Sequence, residues 1–126
     1  MSRSEFLQFQ PPSLDEQEAK AVTAALASGW ITTGPLCREF ETAFAARFGS
    51  PAELGVSSCT AAMHTALATL GIGPGDEVIT TPMTFAATVN VIEQVGATPV
   101  LADVEPDTLN IAPSEIARKV TSKTKV

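Results

Sequence analysis

Apolar residues fall into two rhythms along the chain. Up to about residue 50 they recur at three- and four-residue intervals, the spacing of a helix with one buried stripe. Leu14, Val22, Ala25 and Leu26 form a first stripe. Ser13-Leu14-Asp15-Glu16 reads as its capping box, the Ser13 hydroxyl taking an orphan N–H and Glu16 reaching back to the cap. Gly29 supplies the stop. Leu36, Phe40, Ala43, Phe44 and Phe48 form a second stripe, closed by Gly49. The connector Trp30-Ile31-Thr32-Thr33-Gly34-Pro35 is short on charge and rich in groups able to touch a ligand.

From residue 53 short apolar runs alternate with helical segments. The pattern predicts strands over 53–57, 77–80 and 98–102, and helices over 60–70, 84–95 and 113–120. Turns fall at 71–76 and 105–107, and Pro113 is tolerated in a first helical turn. Strands alternating with helices of this length imply right-handed crossovers and a parallel sheet. Lys123-Thr124-Lys125-Val126 stops where the alternation asks for another strand, with nothing to pair or cap it. We read this as a larger protein cut at Val126, against the plainer alternative of a frayed tail. A sheet ending so would keep an unpaired edge.

Composition narrows the classes. Of 126 residues, 44% are hydrophobic and 17% charged, enough for the packed core of one domain. Eight Lys and Arg against 14 Asp and Glu give a net charge of −6, which offers nucleic acid and anionic lipid no attraction. No stretch approaches the ~20 apolar residues of a spanning helix, and the polar N-terminus is no signal peptide. Neither nucleic acid nor membrane is expected as a partner. Cys37 and Cys59 lack ligand spacing and His64 is the sole histidine, so no metal site or disulfide scaffold is expected. A soluble, cytoplasmic protein remains.

The segment Val56-Ser57-Ser58-Cys59-Thr60-Ala61-Ala62-Met63-His64 is the most informative. It runs from a predicted strand through small residues into a helix start, where unpaired N–H groups carry partial positive charge. Small side chains let an anion sit on those donors, and the Thr60 hydroxyl adds another. In open parallel sheets, ligands bind at the carboxyl ends of strands, where this loop falls. On these residues alone, phosphate binding and a plain N-cap stand equally open. The glycine cluster at 71–76 is no dinucleotide fingerprint, since Asp76 stands where glycine is needed and the cluster lies at the wrong end of the sheet. No phosphate-binding GxxxxGK[ST] run exists.

Phe85, after the second strand, can lay its ring on a flat ligand whose phosphate rests at Cys59 and Thr60, with ordinary core as the competing and stronger reading. His64 reads as a packed, hydrogen-bonded histidine before an acid–base catalyst. Asp103 reads as a turn or cap carboxylate at least as well as a catalytic one.

Together these runs resemble the DegT/DnrJ/EryC1/StrS family of pyridoxal-phosphate (PLP) dependent aminotransferases. Gly29-Trp30-Ile31-Thr32-Thr33-Gly34-Pro35 with the Phe40-Glu41 helix is similar to its N-terminal signature, and residues 57–64 to its phosphate loop. Residues 71–80, Thr84-Phe85-Ala86-Ala87-Thr88, Gly96-Ala97-Thr98-Pro99-Val100, Asp103-Val104 and Asp107-Thr108-Leu109-Asn110 follow in order. The likeness runs from Phe9 onward. The opening and residues 29–35 most resemble enzymes that aminate a UDP-linked 4-keto-pentose for lipid A modification.

The resemblance implies an α/β chain: the N-terminal half of the large domain of a type I aminotransferase fold, truncated, with a mostly parallel sheet and helices on its faces. Residues 1–126 would be a partial large domain, 1–50 its N-terminal helical segment and 51–126 its βαβ cofactor-binding region. By position, Ser58, Cys59 and Thr60 would hold the PLP phosphate and Phe85 would stack on the pyridine ring. Thr32 and Thr33 would lie near the substrate or the partner subunit of a homodimer. Cys59 departs from the family's usual glycine. The expected reaction passes an amino group from glutamate to a nucleotide-linked keto-sugar, in polysaccharide, lipid A or amino-sugar biosynthesis.

PLP chemistry also needs a Schiff-base lysine and a carboxylate on the pyridine nitrogen. The resemblance places both beyond Val126. Lys20, Lys119, Lys123 and Lys125 sit in polar contexts that suit solvated charges, so no catalytic residue is expected in this chain and, alone, it is expected to be inactive and to bind PLP weakly. The rival readings are a noncatalytic PLP or sugar-nucleotide sensor, a doubly wound module for another phosphate ligand, and a nonfunctional remnant.

Overall fold

The computed structural model describes residues 9–126. The chain divides into two compact units, one ending at Gly55 and one running from Val56 to Val126.

In the first unit, α1 spans Glu16–Ala27 and α2 spans Pro35–Phe48. The cap of α1 is Asp15, not Ser13. Asp15 accepts from the Gln17 N–H at 2.6 Å, and Glu18 accepts from the Asp15 N–H at 2.7 Å. Both registers fit the capping pattern. The structure selects the one whose cap is itself a carboxylate, which the positive helix end favours over a neutral hydroxyl. α2 starts on Pro35, whose missing N–H costs nothing at that position. It stops at Gly49, whose φ of 67° is left-handed.

The aromatic stripe forms as spaced, with ring centroids 5.7 Å apart for Phe40–Phe44 and 4.5 Å for Phe44–Phe48. The expected burial does not follow. Neither helix has a fully buried residue, and Leu14, Val22, Leu26, Phe40 and Phe48 are exposed. Between the helices, the Trp30 indole Nε1 donates to the Thr33 carbonyl at 3.0 Å, folding its ring over Gly34. A Cβ at Gly34 would overlap that ring, so the glycine is there for close approach.

The second unit contains α3 (Cys59–Thr69), β1 (Glu77–Thr80), α4 (Ala87–Gln94), β2 (Thr98–Leu101) and α5 (Pro113–Lys119). β1 and β2 pair in parallel, from Glu77 opposite Thr98 to Thr80 opposite Leu101, with α4 as the crossover. Core residues come from each layer: Leu67 of α3, Val78 of β1, Val91 and Ile92 of α4, and Ala97 ahead of β2, with Met63, Ile72 and Val95 at the margin.

Three expectations need correction. Residues 53–57 form no strand: among the described residues no neighbouring backbone offers them a ladder, and the Gly55 N–H is taken by the Glu41 carboxylate at 2.8 Å. The helix predicted from residue 84 starts at Ala87, after a loop in which the Thr81 hydroxyl accepts from the Met83 N–H at 3.1 Å. Residues 123–126 are not unpaired. The Glu77 N–H donates to the Lys123 carbonyl, the Lys125 N–H to the Glu77 carbonyl and the Ile79 N–H to the Val126 carbonyl, at 2.8–2.9 Å. Thr124 thus forms an isolated parallel bridge with Glu77, beside the two-stranded sheet of β1 and β2.

Ile92, 2% exposed, lies in the centre of this core. Ile92→Ala is expected to destabilise the fold by about 2–5 kcal/mol, read as a lowered urea midpoint at unchanged slope.

Candidate functional site

α3 begins at residue 59 because the Ser58 backbone is extended, with φ −164° and ψ 161°, and its side chain turns back onto the helix. The Ser58 Oγ accepts from the Ala61 N–H at 3.1 Å and the Ser58 carbonyl accepts from the Ala62 N–H at 3.0 Å. That leaves the N–H groups of Cys59 and Thr60 without an acceptor among the described residues. Ser58, acting as acceptor, keeps its own proton free to donate. The half-buried Thr60 hydroxyl likewise meets no partner among the described residues. Two amides and two hydroxyls therefore converge on the positive end of an 11-residue helix. All four donors are neutral, and the Cys59 thiol beside them is exposed.

Phe85 belongs to the same unit. α3 leads into β1 through a turn in which Asp76 accepts from the Gly73 N–H at 3.0 Å. The loop 81–86 follows β1. Phe85 is 83% exposed, which excludes the core reading among the described residues and leaves a ring face open to a ligand.

Thr32 and Thr33 belong to the first unit. Thr32 borders a cavity of about 530 Å³ with Ala21, Ala24, Trp30, Pro35 and Leu36, and Thr33 serves Trp30 through its carbonyl. The structure thus brings Ser58, Cys59, Thr60 and Phe85 into one unit and keeps the threonine pair in the other.

The remaining candidates take structural roles. His64 Nδ1 lies 3.3 Å from Gln94 Oε1 and ties α3 to α4. Asp103 accepts from the Val104 N–H at 2.8 Å through its carboxylate and from the Ala112 N–H at 2.9 Å through its carbonyl, which is turn work. Lys20 pairs with Glu16 at 3.2 Å on the surface, and Lys123 and Lys125 are exposed. Among the described residues no three His, Cys, Asp or Glu side chains cluster as metal ligands, and no helix is long and apolar enough to cross a membrane. Sequence reasoning missed the Glu41–Gly55 bond. Its one signal is an acid set inside the aromatic stripe of α2.

With this geometry in place, comparison with known proteins is decisive. The DegT/DnrJ/EryC1/StrS aminotransferase family matches residues 12–126. The chain belongs to this family. As a DegT/DnrJ/EryC1/StrS chain it is 48% identical over 123 residues to the spore coat polysaccharide biosynthesis protein SpsC of Bacillus subtilis, covering 98% of this chain and 32% of SpsC. Spr1654 of Streptococcus pneumoniae, assigned as a sugar aminotransferase and solved in PLP, PMP and apo forms, is 41% identical with a TM-score of 0.89 over 94% of this chain and 30% of its own. An aminotransferase from Psychrobacter cryohalolentis is 45% identical with a TM-score of 0.87, over 94% and 31%. The α/β fold is that of these family enzymes, and the chain spans about a third of their length.

Ser58→Ala removes the acceptor of the Ala61 N–H. It is expected to cost about 1 kcal/mol of stability, whereas Ser58→Asn, which keeps an acceptor, costs a few tenths; thermal unfolding of the two variants checks this.

Proposed function

We propose that this chain forms the coenzyme cradle of a PLP-dependent sugar aminotransferase. The reading rests above all on one observation: the two unspent amides of Cys59 and Thr60, flanked by the Ser58 and Thr60 hydroxyls. A phosphate dianion offers acceptor oxygens in several directions and suits a convergent set of N–H and O–H donors at a helix start. The exposed Phe85 ring, in the same unit, suits a flat aromatic ligand. The donor set and the ring fit PLP, and the likeness to an enzyme solved with that coenzyme supports the assignment.

The amides of Cys59 and Thr60 bind the phosphate, and the Ser58 and Thr60 hydroxyls fix its rotation. Phe85 covers one ring face and keeps water from it. The Cys59 thiol fits in place of a glycine because it leaves the neighbouring amide open. PLP, when bound, supplies the electron sink that lets an amino group leave a donor and join an acceptor. The lysine that would hold PLP covalently and the carboxylate for its ring nitrogen are assigned to sequence beyond Val126. Residues 1–50 act as the helical segment and 51–126 as the βαβ cofactor-binding region of a partial large domain. Thr32 and Thr33 face substrate or the partner subunit of a homodimer in the cytoplasm.

The proposed donor is glutamate and the proposed acceptor a nucleotide-linked keto-sugar. SpsC is named for spore coat polysaccharide biosynthesis, which favours a cell-surface polysaccharide as destination over lipid A.

In the polypeptide expressed from the whole gene, Thr60→Val is expected to weaken PLP binding about tenfold or more, since it removes one hydrogen bond to a charged group. Affinity for phosphate-free pyridoxal should stay unchanged. Absorbance titration with both ligands checks this, and an equal loss for both removes the phosphate assignment. The 126-residue chain alone should show no transamination and no borohydride-fixed lysine adduct with PLP.

A further inference from the structure

Residues 51–58 lead into the cradle, yet they form neither helix nor strand, so no ladder holds them. Two side-chain bonds act on this run before Ser58. One is local, the Ser50 hydroxyl donating to the Ala52 carbonyl at 2.8 Å. The other comes from 14 residues away: the Glu41 carboxylate on α2 accepts from the Gly55 N–H at 2.8 Å. Glu41 is half-buried and lies within the Phe40–Phe44 stripe. A Cβ on Gly55 would stand 3.4 Å from that carboxylate oxygen, an ordinary contact, so the bond does not itself require glycine at that position.

We propose that Glu41 is a positioning residue for coenzyme binding: its carboxylate fixes the backbone at Gly55, three residues before Ser58, and so lowers the ordering cost of the segment that delivers the phosphate donors. The proposal rests on the coenzyme reading above. Fixing one residue's backbone costs on the order of 1–2 kcal/mol, so an approach segment held in the apo state leaves less ordering for the ligand to drive. Glu41 touches no ligand in this scheme and acts only through the Gly55 amide. What it needs is an acceptor oxygen at that place, and the negative charge is secondary.

The test compares Glu41→Ala with Glu41→Gln in the polypeptide expressed from the whole gene. Glu41→Ala should raise the Kd for PLP about tenfold, with turnover at saturating PLP changed less than twofold. Glu41→Gln, which keeps an amide oxygen as acceptor, should recover affinity to within about threefold of the parent. Hydrogen exchange, read without coenzyme, should show the Gly55 amide protected in the parent and in Glu41→Gln and open in Glu41→Ala. Unchanged PLP affinity in Glu41→Ala overturns this inference and leaves the coenzyme reading intact. A loss in Glu41→Gln as deep as in Glu41→Ala also overturns it, because charge would then be the agent. A parent protein that takes up no PLP removes the coenzyme reading itself, and this inference with it.

Discussion

A helix start presents four N–H groups and Ser58 offers one carbonyl and one hydroxyl. That shortage governs the second unit. The carbonyl and hydroxyl satisfy Ala62 and Ala61 and leave the two outermost amides facing away from the helix. Small residues at 57–59 keep that space open. An anion at this point would meet donors already aligned. The rest of the unit keeps α3 where it is. Leu67 buries its lower half against Val78, Val91 and Ile92, and His64 reaches Gln94 across the α3–α4 boundary. Glycine at position 59 would serve as well for access, but a thiol can be accommodated because it is exposed and is not asked to pack.

What the sequence discloses depends on how local its causes are. The bounds of α2 follow from Pro35 and Gly49, and β1 from an apolar run behind a turn. The start of α3 is legible at Ser58, Cys59 and Thr60 because capping chemistry acts over three residues. The α1 cap is misplaced by two residues because two overlapping patterns compete, and only the structure shows that Asp15 prevails. The apolar run at 53–57 reads as a strand, but a strand exists only with a neighbour, and that is a tertiary fact. Residues 123–126 fail in the opposite sense: the alternation asks for a strand there, and what the pattern does not show is that β1 is its partner. Phe85 has the composition of a core residue, and its exposure cannot be read from spacing.

Periodicity also says nothing of what a stripe will meet. α1 and α2 carry the helical spacing of amphipathic elements, and their apolar faces lie open. The aromatic rings of α2 cover one another along the helix, which limits the wetted area without closing it. Trp30 behaves otherwise. Its indole N–H finds the Thr33 carbonyl and its ring finds Gly34, so the connector between the helices is held by one side chain.

The pairing of β1 on both sides bears on how the sheet comes together. Glu77 meets Thr98 on one flank and Thr124, 47 positions away, on the other. The longer closure is roughly double the shorter, and doubling a loop adds only about 0.6 kcal/mol of entropy. Loop length therefore sets almost no preference between the flanks. During synthesis the chain emerges in order, and the 98–101 partner is available well before 123–126 exists. β1 therefore spends an interval with one row of its amides and carbonyls bare, until residues 123–126 follow and close it.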